Sequence, residues 1–235
     1  MKDKDYFIVT GSNSGLGENL VKNLKDKGFK TLGIDVVDGE YTDLKFDLSN
    51  LSKEHVKEIQ SKLGVCKIKS IIHCAAVQKN PDKNFESLTE TFDEVFGVNV
   101  KSIYMLVELL EAYFQKPSSL CLISSVHSNA TTENNTLYAS SKAALKGVLH
   151  GLTLEKKDNM SIFELVLGSM DSPMLLNSYN QNEIKNLKDD LPSKKILTTN
   201  EVASFIIDLT MKHANILHGS SIILDNGVLS KLSTR

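Results

Sequence analysis

Long apolar runs are missing from this sequence, and so are the cysteine patterns of secreted or metal-binding chains. No apolar stretch approaches the roughly 20 residues that a membrane-spanning helix needs. The first residues, MKDKDYFIVTGS, have a charged start and then too few apolar residues for the core of a signal peptide. The three cysteines, Cys66, Cys74 and Cys121, are an odd number without zinc-site spacing. We therefore predict reduced thiols, no disulfide, no metal site and a cytoplasmic protein.

A concentration of positive charge is also absent. The 27 Lys and Arg are interspersed with 29 Asp and Glu, which leaves a formal net charge of −2. Nucleic acids and anionic membrane surfaces attract concentrated positive charge, so we expect neither as a partner. The 235 residues suffice for one domain with a large core, and 41% hydrophobic content is ordinary for a globular protein.

What is present is a regular alternation of short apolar runs with longer helical patterns. Nearly continuous apolar runs of strand length are typical of strands buried on both faces of a parallel sheet. Six strands are predicted, at residues 6–10, 30–36, 68–75, 119–125, 161–167 and 220–225. The alternation predicts an α/β fold, a Rossmann-like doubly wound parallel sheet, as a single domain over residues 1–235.

The helical patterns fall between the strands. The first is a stripe that begins at Leu16 and is closed by Gly28. Further helices are predicted at residues 53–63, 90–115, 138–155 and 200–212. The stripe in the fourth helix, which includes Val148 and Leu152, is apolar enough to face either the sheet or a partner subunit. Residues 171–199 form a long irregular insert, which we interpret as a flap over a binding site.

The first predicted strand runs directly into the glycine-rich turn TGSNSGLG. Its glycines, Gly11, Gly15 and Gly17, let the chain turn tightly and let backbone amides approach a pyrophosphate at the start of the next helix. The spacing GxxxGxG differs from the commoner dinucleotide pattern GxGxxG, and a lone glycine-rich turn is weak evidence. Its place between a strand and a helix strengthens the prediction of a dinucleotide site.

An acidic residue, Asp35, ends the second predicted strand, 18 residues beyond Gly17. This is close to the ~20 residues that separate a glycine turn from the acid that binds an adenosine ribose. A carboxylate there accepts hydrogen bonds from the ribose hydroxyls and repels a 2′-phosphate. Neither the turn nor Val36 and Val37 offers a basic residue for that phosphate. The sequence therefore favours NAD over NADP, although Asp also terminates strands for purely structural reasons.

A phenol and an ammonium stand four residues apart in YASSK, residues 138–142. Residues at this spacing share a face of a helix, so Tyr138 and Lys142 could be an ordinary surface pair. The chemical interpretation is that the ammonium stabilises a phenolate and lowers the pKa of Tyr138 from about 10 toward neutrality. The spacing alone does not separate the two.

Taken together, these motifs resemble the short-chain dehydrogenase/reductase family, and the resemblance extends from Thr10 to Gly227. The TGxxxGxG turn, the Asn99 of GVNVKS, the ISS that ends at Ser125 and the YASSK motif follow in the family's order. Ser125 precedes Tyr138 by the family's usual 13 residues. The YxxxK spacing argues against enoyl reductases, which space these residues differently.

The resemblance implies the residues that carry the chemistry. Tyr138 is expected to be the general acid/base, and Lys142 to lower its pKa and bind the nicotinamide ribose. Ser125 is expected to hold the substrate oxygen, and Asn99 to support a water that relays protons to Lys142. The cofactor, NAD, is expected to contact Gly11, Ser12, Asn13, Ser14, Gly15, Leu16, Gly17, Asp35, Asp47, Leu48, Ala75, Ala76, Tyr138, Lys142, Gly168, Met170 and Ser172.

The expected activity is hydride transfer between NAD(H) and a small or medium secondary alcohol or ketone, with polar flap residues favouring a sugar-like substrate. The resemblance also implies a homodimer or homotetramer. A different class of function stays open: a non-catalytic NAD(H)-binding sensor or scaffold of the same fold. Two departures from the family pattern are HCAA, in which His73 is expected to be structural, and LGSMDS, in which Leu167 replaces a proline. His127 is expected to be a substrate-wall or solvent-facing residue rather than a catalytic group.

Overall fold

A parallel sheet of seven strands organises the part of the chain that the computed structural model describes, residues 5–157 and 159–231. The strands are β1 Tyr6–Thr10, β2 Lys30–Asp35, β3 Leu44–Lys45, β4 Ile68–His73, β5 Phe114–Ser125, β6 Met160–Leu167 and β7 Ser220–Leu224. Their order across the sheet is β3-β2-β1-β4-β5-β6-β7, and every neighbouring pair is parallel. The order reverses beside β1, so the prediction of a doubly wound α/β sheet is confirmed.

The helices connect the strands and cover the sheet. In chain order they are α1 Gly15–Asp26, α2 Lys53–Leu63, α3 Phe85–Phe96, α4 Ser102–Leu109, α5 Thr136–Glu155, α6 Pro173–Ser178, α7 Gln181–Asp190 and α8 Thr199–Asp208. The predicted helices at 53–63 and 138–155 match α2 and α5 closely. The short strand β3 was not predicted, because a segment of this length carries no periodic pattern of its own.

Each face of the sheet packs on its own apolar cluster. Side chains alternate between the faces along a strand, so Ile8 of β1 joins one cluster while Phe7 and Val9 join the other. Helices α2, α4 and α5 close the first cluster, and α1 and α8 close the second. Removing each such side chain from water contributes about 2 kcal/mol. The two clusters therefore hold the strand ends, and the loops that follow them, in fixed positions.

The predicted long helix over residues 90–115 is wrong in both of its limits. The chain instead forms α3, a π-helical turn over Gly97–Lys101, and α4, which ends at Leu109. From Phe114 onward the backbone belongs to β5, where Phe114 pairs with Ile68 of β4. The apolar spacing of a helix runs on to this point, but pairing with a neighbouring strand overrides local preference.

The insert over residues 171–199 was predicted to be irregular. This prediction is wrong, because the insert contains the helices α6 and α7. Both ends of the insert are tied together. Met170 pairs with Leu197 in a parallel bridge, and Asp171 Oδ1 accepts a hydrogen bond of 2.6 Å from the backbone N–H of Thr199. The insert is therefore a pair of helices whose two ends are held together by hydrogen bonds.

His73, the last residue of β4, is fully buried behind the loops at the carboxyl edge of the sheet. Its Nδ1 lies 2.8 Å from the hydroxyl of Thr10 on the neighbouring strand. Burial, and secondarily the charge of Lys142, lowers the pKa of His73 to about 3, although the backbone carbonyls of Asn99 and Val98 oppose the shift. The imidazole is therefore neutral at pH 7 and structural, as the sequence predicted.

We predict that His73 makes the protein sensitive to acid. Its pKa is about 3 when folded and near 6.5 when unfolded, so the unfolded state binds the proton first as the pH falls. Stability is then lost progressively below pH 6.5, by about 4 kcal/mol near pH 3. Urea denaturation at several pH values between 7 and 4 should show a steeper loss for wild type than for His73→Asn, which keeps a hydrogen-bonding group without the proton. Equal slopes for the two proteins would contradict this assignment.

Candidate active site

A cavity of about 530 Å³ runs along the carboxyl ends of the strands, where the strand order reverses. In open α/β sheets, ligands bind at this switch point, because the loops that follow the neighbouring strands diverge there. The cavity extends from the glycine turn after β1, past the ends of β2, β4 and β5, to the flap that follows β6. Its polar groups are thus contributed by loops that a rigid sheet positions.

The glycine turn after β1 has no room for side chains at two of its glycines. A Cβ on Gly17 would lie 1.9 Å from the carbonyl oxygen of Gly11, and a Cβ on Gly11 would lie 2.8 Å from the backbone nitrogen of Ala75. Gly11 also has a φ of +66°, in the left-handed region that favours glycine. The turn therefore brings the open N-terminus of α1 to the cavity, where its free N–H groups and dipole suit a phosphate group.

Asp35 links the end of β2 to this turn. Its Oδ2 accepts a hydrogen bond of 2.9 Å from the backbone N–H of Asn13, and its Oδ1 accepts one of 3.0 Å from that of Val37. The carboxylate is thus held in place and lines the cavity. The loop that follows β2 adds Asp38 and Glu40 and no basic residue, so this end of the cavity repels additional negative charge.

The next loop supplies Asp47 and Leu48, which line the same end of the cavity. Asp47 begins a short 3₁₀ turn and accepts hydrogen bonds of 2.8 Å from the backbone N–H and the hydroxyl of Ser49. Across the cavity, the backbone N–H of Ala75 donates to the Thr10 hydroxyl at 3.2 Å. The structure thus brings these predicted cofactor residues together.

Ser125, Tyr138 and Lys142 converge at the other end of the cavity. Ser125 ends β5, and the other two lie one helical turn apart on the buried face of α5. Lys142 is only 2% exposed; its Nζ donates a hydrogen bond of 2.8 Å to the carbonyl of Ile123 and lies 5.7 Å from the centre of the Tyr138 ring. Tyr138 and Lys142 are therefore not an ordinary pair on the protein surface, which was the alternative that the sequence left open.

The protonation of this group differs from the prediction in one respect. Burial raises the pKa of Tyr138 above its ordinary value, and a hydrogen bond with Ser125 offsets only part of the increase. Burial also lowers the pKa of Lys142 to about 8, while Cys74 and Glu164 act to raise it. The expected fall in the Tyr138 pKa is thus absent from the protein alone, because the Lys142 ammonium is itself desolvated and turned toward a backbone carbonyl.

Asn99 lies in the π-helical turn between α3 and α4 and is fully buried. Its side chain donates to Ser141 Oγ at 2.8 Å and to the Val77 carbonyl at 3.0 Å, and accepts from the Val77 N–H at 2.7 Å. Ser141 in turn donates to the Tyr138 carbonyl at 2.7 Å. Asn99 therefore joins the loop after β4 to the helix that carries Tyr138 and Lys142. Single π turns inside helices are frequent at functional sites.

Most of the predicted site residues line the cavity, and three do not. Those on the wall are Gly11, Ser14, Gly15, Leu16, Gly17, Asp35, Asp47, Leu48, Ala75, Ala76, Ser125, Tyr138, Lys142, Gly168, Met170 and Ser172. Asn13 and Asn99 stand behind this wall and act through the hydrogen bonds described above. Ser12 is fully buried, and its hydroxyl packs beside Gly33 of β2. Any contact of Ser12 with a cofactor is thus restricted to its backbone.

Sequence reasoning missed three polar residues on the wall near Tyr138. Gln78 follows the small residues after β4, Asn135 precedes Tyr138 by three positions, and Glu94 belongs to α3. The position of Asn135, directly before α5 and three residues before Tyr138, was a usable signal. Glu94 gave none, because only the packing of α3 against the loop after β4 turns it toward the cavity. His127 also lines the wall, as predicted.

The flap closes the cavity beside the glycine turn. Ser172 caps α6 by accepting a hydrogen bond from the Leu175 N–H. A Cβ on Gly15 would lie 3.3 Å from Pro173 Cδ, so the start of α6 rests against the turn. Gly168 leads into the flap despite the replacement of the preceding proline by Leu167, and a Cβ on Gly168 would meet the backbone of Asp225 at 2.8 Å.

The whole chain is similar to known reductases and dehydrogenases. The profile of a family described as Enoyl-(Acyl carrier protein) reductase matches residues 11–229. The 3-oxoacyl-(acyl-carrier-protein) reductase of Buchnera aphidicola is 26% identical over 96% of this chain and 98% of its own length. The carbonyl reductase (NADPH) 2 of Sus scrofa is 22% identical over 95% and 96%. The ligand-free aldohexose dehydrogenase of Thermoplasma acidophilum superposes with a TM-score of 0.87 at 22% identity, over 100% of this chain and 98% of that one.

A doubly wound parallel sheet with a glycine turn at the start of its first helix is typical of dinucleotide-binding proteins, and the relatives are oxidoreductases. The chain belongs to the short-chain dehydrogenase/reductase family. Proteins of this family bind a nicotinamide cofactor and act on small molecules. Within residues 5–157 and 159–231, no helix is long and apolar enough to cross a membrane.

Proposed function

We propose that the protein is an NAD-dependent dehydrogenase/reductase that interconverts a small or medium secondary alcohol and its ketone. The observation that carries the proposal is the convergence of Ser125, Tyr138 and Lys142 at one end of a cavity whose other end holds the glycine turn. The profile that matches the chain is described by an enoyl reductase activity. The interval of four residues between Tyr138 and Lys142 argues against that reaction here.

The residues of the chain divide the proton chemistry among them. When bound, the nicotinamide cofactor supplies or accepts the hydride. The Tyr138 hydroxyl gives its proton to the ketone oxygen, or takes the proton of the alcohol. Ser125 Oγ holds that same oxygen, and the Lys142 ammonium stabilises the phenolate left after proton donation. Burial of all three groups strengthens these interactions, because little water is present to screen them.

Asn99 has a supporting role in this proposal. It is proposed to hold the loop after β4 and α5 in register, and to support the water through which Lys142 regains its proton. Its contacts with Val77 and Ser141 favour the first part directly. The second part follows from the family resemblance and from the position of the π turn beside Lys142.

NAD is proposed as the cofactor because of the surroundings of Asp35. The fixed carboxylate suits the two hydroxyls of an adenosine ribose, and it repels a 2′-phosphate. The relative from Sus scrofa carries NADPH in its name, so relatives do not decide the matter. Among the described residues that line the cavity, Lys142 is the one Lys or Arg, and it lies at the far end from Asp35.

The cofactor proposal predicts a clear preference in binding. Fluorescence titration of wild type should show NADH binding at least about tenfold more tightly than NADPH. The 2′-phosphate of NADPH loses the ribose hydrogen bonds to the Asp35 carboxylate and is repelled by its negative charge. Asp35→Ala should remove most of the preference. Glu58→Ala, at an exposed position of α2 outside the cavity lining, serves as the control and should keep it. Tighter binding of NADPH by wild type would overturn the proposal.

The catalytic proposal predicts that the Tyr138 hydroxyl is needed for turnover and not for cofactor binding. In Tyr138→Phe, kcat should fall by about 10²–10⁴-fold, the usual worth of a general acid/base, while the affinity for NADH changes little. Tyr104→Phe, which alters an exposed tyrosine of α4, should leave both unchanged. The measurement is NADH absorbance during oxidation of a panel of secondary alcohols. Retained turnover in Tyr138→Phe would argue for another proton donor.

A polar, sugar-like substrate is the finer part of the proposal. The flap carries Asn177, Asn180 and Gln181, and one structural neighbour is named an aldohexose dehydrogenase. At 22% identity that likeness supports the fold, and the name adds only a reason to include sugars in the panel. Neither the site nor the comparisons favours a non-catalytic sensor or scaffold. Tight NADH binding without turnover of any substrate would be the result expected of such a protein.

We also propose that the protein is a cytoplasmic homo-oligomer. All three cysteines are free thiols. On α5, Leu152 and Val148 pack on the core rather than outward, whereas Phe85, Leu88 and Phe92 form an exposed apolar stripe on α3. Such a stripe suits contact with a second copy.

Light scattering should give a mass that is a multiple of the 26.0 kDa chain mass. Phe92→Glu should lower this mass, because it places a charge in the apolar stripe. A monomeric wild type would contradict the proposal.

A further inference from the structure

The wall of the cavity beside Tyr138 carries polar groups that the proton chemistry does not use. His127 is half-buried on this wall, and its ring stands edge-on to that of Tyr138, with 5.8 Å between centroids and 72° between planes. Its backbone N–H donates to Ser125 Oγ at 3.2 Å. A substrate carbon held at Ser125 and Tyr138 therefore has its neighbouring carbon within reach of the imidazole.

A hydrogen bond with Thr131 orients the ring of His127 and leaves one ring nitrogen open. Thr131 Oγ1 donates to the carbonyl of Thr132 at 3.4 Å, and it lies 2.8 Å from His127 Nδ1. The shorter contact is the stronger hydrogen bond, and the Thr131 hydroxyl can donate or accept in it according to the tautomer of the ring. Nε2 is left as the ring nitrogen that meets no hydrogen-bond partner among the described residues. Burial lowers the pKa of His127 below its ordinary value, which keeps the ring neutral at pH 7.

The neighbouring amides are fixed in a similar way. Gln78 Nε2 donates to Asn135 Oδ1 at 2.7 Å, and Asn135 Nδ2 donates to Thr132 Oγ1 at 2.8 Å. This chain of bonds joins the loop after β4 to the loop before α5. The wall is therefore a rigid surface, and its groups need little reordering when a substrate binds.

The charges along the cavity do not suit an anionic substrate. Asp35, Asp47, Glu94 and Lys142 are the Asp, Glu, Lys and Arg residues on the described wall. The one cation donates to the Ile123 carbonyl behind Tyr138. Glu94 lies on the wall, and its Oε2 is 2.7 Å from the Nζ of Lys79, a residue that does not line the cavity. The Oε1 of Glu94 remains as a further acceptor. Asp35 and Asp47 lie at the opposite end, so a substrate carboxylate or phosphate beside Tyr138 would meet Glu94 and, on the described wall, no cation other than Lys142.

We propose that this wall selects an uncharged substrate with a hydroxyl on the carbon next to the reacting one, a vicinal diol or polyol, and that His127 Nε2 forms a hydrogen bond with that hydroxyl. This inference rests on the proposed function, because it names the substrate class of the same site. His127 is thereby a specificity-determining residue. The reaction that supplies the substrate, or the one that consumes the product, therefore handles a hydroxylated, neutral molecule rather than an acid or an acyl thioester.

Three alcohols of similar size test the inference. Butane-2,3-diol carries the neighbouring hydroxyl, butan-2-ol lacks it, and 3-hydroxybutanoate carries a carboxylate instead. With NAD⁺ and wild type, kcat/KM should be about tenfold higher for the diol than for butan-2-ol. This ratio corresponds to one neutral hydrogen bond between the second hydroxyl and the ring of His127. It should be lowest for 3-hydroxybutanoate.

Variants separate His127 from a general effect on the site. In His127→Phe, which keeps a flat ring without nitrogens, the ratio of kcat/KM for diol over butan-2-ol should fall to near one. Thr131→Val removes the hydroxyl that orients the imidazole ring, so it should lower the ratio only in part. His150→Phe, at an exposed position of α5, should leave the ratio as in wild type.

Each outcome decides the inference. Turnover without preference for the diol, or with preference for 3-hydroxybutanoate, overturns it and leaves the proposed function standing. Absence of turnover for all three alcohols by a protein that binds NADH counts against the proposed function itself. Calorimetric titration of the NADH-bound protein with ribitol then decides: binding that His127→Phe abolishes supports the inference, and no binding, or equal binding by both proteins, overturns it.

Discussion

The buried ammonium of Lys142 is the constraint on which the rest of the site depends. A charge that is 2% exposed is unfavourable unless polar groups surround it, and here the Ile123 carbonyl at the end of β5 accepts from it at 2.8 Å. Its field reaches the residues around it, since it contributes to the low pKa of His73 and acts to lower that of Cys74. The carboxyl edge of the sheet is thus arranged around one desolvated cation.

The glycine turn imposes the second constraint, which is one of space. Gly11 lies against the backbone of Ala75, and Gly17 against the carbonyl of Gly11, so β1, β4 and α1 meet without side chains between them. This contact brings the open end of α1 to one end of the cavity while Lys142 organises the other. A ligand that spans both needs an anionic group at one end and a reacting carbon at the other, which describes a dinucleotide beside its substrate.

The protonation pattern shows why geometry and burial must be considered together. A lysine one helical turn from a tyrosine suggests a lowered phenol pKa, yet burial raises the pKa of Tyr138 and lowers that of Lys142 to about 8. Both shifts favour the neutral forms, because desolvation penalises each charge separately. In the protein alone, the Tyr138 phenol therefore holds its proton at pH 7, which is the state that a proton donor requires.

The sequence by itself determined the elements whose pattern is local. These are the strands with continuous apolar runs, the glycine turn with Asp35 after it, and the spacing of Tyr138 and Lys142 on one helix. It failed where contacts distant in the chain decide, as at Phe114, which follows a helical pattern and yet pairs with Ile68 of β4. Only the tertiary structure placed Glu94 on the cavity wall and joined Gln78 to Asn135 beside it, since both depend on segments that meet through folding rather than on neighbours in the chain.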